Sequence, residues 1–383
     1  MNNFTKIFKQ VFNTLIFISF SGFFQFAYSQ NLWEGEEYRK AKDYPFITKL
    51  LVVDKDAPLV VFTPGKGALA RVGYGGHEGG LQQDFLAHWL NELGYNFLGI
   101  SYPLLTKGHA FEEAEPTFTV RAWGRGMAEI TRDIRQEQGL TGRIIHTAWS
   151  MGGKSAQPFS ESAKALGLEL DFFVSLASTP PIPGILGMNA EAPKHQSGLV
   201  KLPESGPTGD KGLKPAETII GRVIIPHDVL LTDYLGHTPV QLVARGLRFN
   251  EENNEFVRDH WADMQDTKFY DIDNFPMVAM IIPQDKYDHR HTLTDRATWG
   301  YYITHKMLRL AGSAKQIIGM DDAKFARLSE LVNSAPDRLA VNIEGNHFFF
   351  IGEHGAKATA EAIKVLDGRM ANVKREFEAL VAD

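Results

Sequence analysis

An apolar run, Ile144-Ile145-His146-Thr147-Ala148-Trp149, stops at Ser150, and Met151-Gly152-Gly153-Lys154-Ser155-Ala156 opens a helix-like segment of small residues. A strand that passes into a helix over so few residues has to turn sharply, and the residue at the corner takes a strained backbone conformation. Bulk two positions from the corner would collide with the neighbouring strand or helix. The pattern Ala148-x-Ser150-x-Gly152 keeps both positions small. Such a corner holds a serine hydroxyl exposed above the edge of a sheet. Because a small-x-Ser-x-Gly match also arises by chance, the flanking elements must carry the argument.

Those elements alternate. Leu59 to Thr63 is a short apolar run that stops at Pro64-Gly65-Lys66-Gly67. Leu81, Phe85, Leu86, Trp89, Leu90 and Leu93 recur at helical spacing before Gly94. Asn96 to Ser101 reads as the next strand, and Val120, Trp123, Met127, Ile130 and Ile134 step three and four apart on an amphipathic helix. The strand at Ile144 to Ala148 follows, then a helix to about Gly167 and a strand from Phe172 to Ala177. Strands alternating with helices predict an α/β chain with a mostly parallel sheet flanked by helices on both faces.

Between about residues 180 and 275 the rhythm breaks. Pro180, Pro181 and Pro183 open the segment, Gly, Pro and Lys cluster from Gly198 to Pro215, and no regular strand succession is visible. It reads as a cap or lid insertion over the upper edge of the sheet. The sheet resumes at Met277 to Ile282, a second, helical insertion spans about Thr292 to Ala335, and a strand follows at Leu339 to Ile343. Ile363, Leu366, Met370, Val373, Phe377 and Leu380 mark a long final helix.

The first 29 residues differ in kind. Lys6 and Lys9 precede an uncharged apolar stretch from Val11 to Ala27, and Ala27-Tyr28-Ser29 places small residues where a signal peptidase reads. A cleaved signal, with residues 30–383 as the mature chain, implies a periplasmic or secreted protein without stable membrane association. An uncleaved anchor is the alternative. The sequence contains no cysteine, so disulfides, thiolate nucleophiles and cysteine metal sites are excluded. A net charge of −6 without long basic runs gives no electrostatic ground for nucleic-acid binding.

A serine hydroxyl becomes nucleophilic when a base removes its proton, and that base must itself be oriented by a third group. The last strand runs into Glu344-Gly345-Asn346-His347, and a histidine in a Gly-Asn-His turn at a strand end can reach back over the sheet. His347 could instead cap the final helix or sit in a polar pocket. The acid is expected after the preceding strand, in Pro283-Gln284-Asp285-Lys286-Tyr287-Asp288. Asp285 lies nearer the strand end and is the expected partner, with Asp288 as its competitor.

Ser150, Asp285 and His347 stand in the order Ser…Asp…His, each just beyond an apolar strand, and in this the chain resembles the α/β-hydrolase superfamily. The resemblance runs from about Leu59 to the C-terminus apart from the two insertions. Ala148 replaces the usual first elbow glycine, and Pro64-Gly65-Lys66-Gly67 resembles the family's His-Gly oxyanion loop with proline for histidine. The Trp-Ser-Met-Gly-Gly core also looks like that of cutinase-type polyester hydrolases, although the insertions and the lack of cysteine set this chain apart. The resemblance implies an esterase- or lipase-like serine hydrolase acting on a small-molecule or lipid-like ester, without a cofactor. It also implies oxyanion donors in the backbone N–H groups of Met151 and of Lys66, or Gly67 in its place. An acyltransferase or peptidase on the same scaffold, or a non-catalytic binding protein that kept the fold, are the alternatives.

Two further signals carry less. Asp285, Asp288, His289 and His291 could ligate a metal, but their spacing fits no established motif and a solvated polar loop accounts for them, so no metal site is expected. Phe348, Phe349 and Phe350 could line an acyl pocket, though core packing is the plainer role. The signal reading is testable: intact-mass measurement after expression in a Gram-negative host should find a protein beginning at Gln30, outside the cytoplasm.

Overall fold

Period-two alternation in the apolar runs sorts side chains onto two faces, and both faces are buried. In β3 (Leu59–Thr63), Val60 and Phe62 enter one core cluster while Leu59 and Val61 enter the other, all without solvent exposure. A strand buried on both sides belongs in a sheet covered by helices on each face. The computed structural model describes residues 31–182, 184–185, 194–195, 197–243 and 246–381. The expected signal, residues 1–29, lies outside the described residues.

Two strands precede the first predicted one: β1 (Glu36–Ala41) and β2 (Tyr44–Leu51) form an antiparallel hairpin. Then come β3, β4 (Asn96–Ser101), β5 (Ile144–Trp149), β6 (Leu170–Leu176), β7 (Val278–Pro283) and β8 (Ala340–Ile343). Their spatial order is β1-β2-β4-β3-β5-β6-β7-β8. β2 runs antiparallel to β4, and every later pairing is parallel. The order reverses at β3, so the chain leaves β3 and β5 side by side at the centre of the sheet.

The helices outside the first insertion include α1 (Leu86–Glu92), α2 (Val120–Gln138), α3 (Ala156–Ala165), α4 (His289–Leu310), α5 (Asp322–Arg338) and α6 (Glu353–Val381), and the first insertion holds helices at Lys214–Ile220 and His260–Thr267. α2 starts where the Thr119 hydroxyl accepts from Ala122 N–H and ends at Gly139 in the left-handed conformation. Its predicted stripe, Val120 to Ile134, is the buried face. On α6 Ile363, Leu366, Met370, Val373 and Phe377 are buried as predicted. The second insertion is helical, comprising α4, α5 and a short helix at Ala314–Ile318. No helix among the described residues is long and apolar enough to cross a membrane.

The segment from 180 to 275 does contain strands, contrary to the sequence expectation. Gly236–Pro239, Leu199–Val200 and Lys194–His195 join Leu105–Thr106, which comes from the loop after β4, in a small antiparallel sheet. A separate hairpin pairs Leu247–Asn250 with Glu255–Arg258. These strands are two to four residues long, too short to leave a period-two signature between Gly and Pro. The small sheet is anchored to the main one: Gly236 N–H donates to Gly67 O at 3.0 Å. Below it, Arg71 and Glu36 form a buried ion pair at 2.7 Å, joined by the Tyr74 hydroxyl. Burial alone would raise the Glu36 carboxyl. The Arg71 bonds and charge outweigh it, so the group lies below the ordinary carboxylate range. Arg71 also donates to Asp233 O, tying the hairpin's ion pair to the insertion.

α2 and α3 cross closely at Gly124, where an added Cβ would meet the Pro158 carbonyl carbon and Cβ at 2.5 Å. Gly124→Ala should therefore destabilise the protein by about 1–3 kcal/mol, read as a lowered urea midpoint with unchanged slope.

Candidate active site

Ser150 occupies the corner between β5 and a 3-10 turn, Ser150–Ser155, that runs into α3. Its φ of 54° is left-handed, a conformation uncommon for a non-glycine residue. Two close approaches hold it there. A Cβ on Gly65 would lie 2.7 Å from Ser150 Cβ, and one on Gly152 would lie 2.7 Å from Pro64 O. The small residues in the sequence pattern therefore answer to the neighbouring β3 loop as well as to the turn itself. Thr179 N–H donates to Ser150 O at 2.7 Å, fastening the corner to the end of β6.

Ser150 Oγ lies 2.8 Å from His347 Nε2. His347 follows β8 through Gly345, whose φ is 119°, and Asn346. The Asn346 amide donates to Asp210 O and Gly212 O, and its Oδ1 accepts from Phe348 N–H, so the turn is held from both sides. Trp149 Nε1 donates to His347 O at 2.9 Å, and the indole lies 5.1 Å from the imidazole. Neither alternative setting for His347 fits.

His347 Nδ1 lies 2.8 Å from Asp288 Oδ2, and this corrects the expected acid. Asp285 points elsewhere: its Oδ1 accepts from Tyr287 N–H and caps the 3-10 turn Lys286–Asp288. The turn has a physical consequence. Asp285 is consumed in starting it, and the turn carries the carboxylate three residues on into a buried position beside the imidazole. Proximity to the strand end was the wrong criterion, because a strand-end aspartate is also a good cap.

The two expected oxyanion donors flank the corner. Met151 follows Ser150 in the first turn of the helical segment, where opening amides have no acceptor within the helix. The Pro64–Gly67 loop packs on Ser150 through Gly65. Within it Gly67 N–H donates to the Tyr102 hydroxyl at 2.9 Å, and that hydroxyl donates to Gly65 O at 2.8 Å. The Gly67 N–H is therefore engaged within the loop.

Asp288, His291 and His347 bring potential metal-ligating atoms within 4.8 Å of one another. This differs from the cluster visible in sequence: His289 is exposed beside Lys286 O, and Asp285 is turned away. Both His291 nitrogens are engaged, one by Asp295 and one by the Arg290 guanidinium. A cation there would have to displace Arg290, so these residues fit a hydrogen-bonded network better than a metal centre. Phe348, Phe349 and Phe350 are buried, with Phe348 and Phe350 against Trp149, which makes them core. Tyr102 and Arg290 escaped the sequence reading, and Trp149 and His291 entered it without these contacts, since aromatic and polar residues at such positions have no periodicity of their own.

The strand order, the antiparallel second strand and the corner after β5 define the α/β-hydrolase fold. No family model and no curated protein matches the sequence. Among solved structures, a soluble variant of monoglyceride lipase from Saccharomyces cerevisiae has 12% identity over 87% of this chain and 94% of its own, with a TM-score of 0.45. The esterase Est1E from Butyrivibrio proteoclasticus has 14% identity over 88% and 99%, with a TM-score of 0.42. An esterase from Pyrobaculum calidifontis has 14% identity over 88% and 85%, also at 0.42. Likeness at this level carries no residue roles to this chain.

Tyr102 gives a test of the loop. Tyr102→Phe removes the hydroxyl's bonds to Gly65 and Gly67 while keeping the ring, and should lower kcat for a model ester about tenfold by loosening the loop expected to supply an oxyanion donor, with a smaller change in KM.

Proposed function

We propose that this protein is a serine hydrolase that cleaves carboxylic esters through an acyl-enzyme intermediate. The observation that carries the reading is the unbroken chain from Ser150 Oγ to His347 Nε2 and from His347 Nδ1 to Asp288 Oδ2, each link 2.8 Å. Ser150 Oγ attacks the ester carbonyl carbon as its proton passes to His347 Nε2. Asp288 holds the tautomer with the proton on Nδ1 and stabilises the imidazolium. The carbonyl oxygen becomes an oxyanion facing the N–H groups of Met151 and Lys66. Collapse breaks the bond to the alkoxy group, which leaves with the proton from His347. Water then repeats the sequence on the acyl-enzyme and restores Ser150.

The small sheet beside Gly67 supports a cap that shapes access for a small-molecule or lipid-like ester. The signal-like N-terminus supports action outside the cytoplasm. A fluorophosphonate should add covalently to Ser150 alone, and Ser150→Ala should lose both labelling and hydrolysis of p-nitrophenyl esters. Asp288→Asn should lower kcat roughly 10³–10⁴-fold, since an amide favours the wrong imidazole tautomer. Asp285→Asn should change it by about threefold or less, because asparagine caps a turn as well as aspartate. An acyltransferase would label equally but divert product to an added alcohol acceptor. A binding protein would neither label nor turn over, and that outcome would end this reading.

A further inference from the structure

A second imidazole–carboxylate pair lies against the first. His291, in the opening turn of α4, is fully buried and stacks on His347 with ring centroids 5.2 Å apart and planes inclined by 21°. Its Nδ1 sits 2.9 and 3.0 Å from the two oxygens of Asp295, one turn further along the helix. The Arg290 guanidinium donates to Nε2 at 2.5 Å, so the ring's proton is on Nδ1 and points at Asp295. Arg290 also donates to Thr179 Oγ1 at 3.0 Å, and Thr179 N–H bonds Ser150 O. A continuous series of bonds thus joins His291 to the backbone of the corner serine.

Burial works against charge on both members of the pair. Burial, with the His347 and Arg290 charges, holds the His291 imidazole well below its usual range. Burial pushes the Asp295 carboxyl up to about 8. His291 is therefore a neutral flat ring, fixed at both nitrogens, presented to the face of His347. Proton transfer among Ser150, His347 and Asp288 does not use it. An apolar side chain would fill the same space at lower desolvation cost, so the polar anchoring has to be explained by orientation.

The turn that carries His347 is held at its backbone by Asn346 and Trp149, but the side chain itself stays a quarter exposed. Its bond to Asp288 fixes the direction of Nδ1, and tilt about that bond is set by the rings packed against it, Trp149 at 5.1 Å and inclined by 40° and His291 more nearly parallel. Tilt moves Nε2 away from Ser150 Oγ. A rigid flat neighbour limits that tilt.

We propose that His291, anchored by Asp295 and Arg290, is a positioning residue that sets the tilt of the His347 ring. The proposal rests on the reading of Ser150, His347 and Asp288 as a hydrolytic triad. His291→Gln removes the ring but keeps a polar group near Asp295. It should lower kcat about 10–100-fold with KM within about twofold of wild type, the size of effect expected from a misplaced base. Fluorophosphonate labelling of Ser150 should slow by a similar factor. His291→Phe restores a flat ring without the polar anchors and should recover only part of that loss, leaving kcat between His291→Gln and wild type. A folded His291→Gln protein with kcat within about threefold of wild type overturns the proposal, as does His291→Phe being no faster than His291→Gln. If His291→Gln does not fold, His291→Phe decides alone: a folded protein with kcat within about twofold of wild type shows that the anchors are not needed and overturns it. Failure of wild-type Ser150 to label at all brings down the triad reading itself, whereas a labelled, active wild type with an indifferent His291 brings down only the positioning role.

Discussion

The geometry around Ser150 depends on one strained corner and on the neighbours that permit it. A left-handed φ at a serine persists only where its surroundings over-determine it. Here the loop after β3 supplies that constraint, closing to van der Waals contact at Gly65 and sending Pro64 O against Gly152. Parallel pairing of β3 with β5 makes the approach possible, because adjacent parallel strands release their loops at the same edge of the sheet. The same contact that strains the serine also brings a candidate oxyanion loop beside it. Packing and chemistry are here one arrangement.

The remaining groups reach this point from distant parts of the chain and are held by bonds between loops. The Gly-Asn-His turn is tied to the insertion through Asn346, and to the elbow through Trp149. The acid arrives on a turn that Asp285 caps. Tyr102, at the end of β4, bonds both Gly65 and Gly67 and so couples a third strand to the same loop. Ser150, Asp288 and His347 each stand on a turn beyond a strand end, and each turn is held by bonds from neighbouring segments. Such bracing is the usual solution when function needs loop geometry but tolerates little motion.

Much of the framework was legible in the sequence because its signals are periodic and local. The faces of α2 and α6 and the central strands appear where their spacing indicates, and Ser150 and His347 meet as their places after strands implied. The hairpin β1–β2 and the small sheet were not legible. The first carries only intermittent apolar residues on a half-exposed surface, and the second is built from fragments too short to show a period. The acid was misassigned for a different reason. Asp285 and Asp288 are chemically identical, and only the turn between them decides which one points inward.

The sequence by itself determined the α/β rhythm, the corner at Ser150 and the order in which serine, acid and histidine candidates occur, because each is written in residues close together in the chain. Tertiary structure decided which aspartate meets His347, that Gly67 bonds Tyr102, and that His291 lies against the imidazole. These are contacts between segments tens of positions apart. They follow from how the strands are ordered and how each loop is braced, and no local pattern of side chains encodes either.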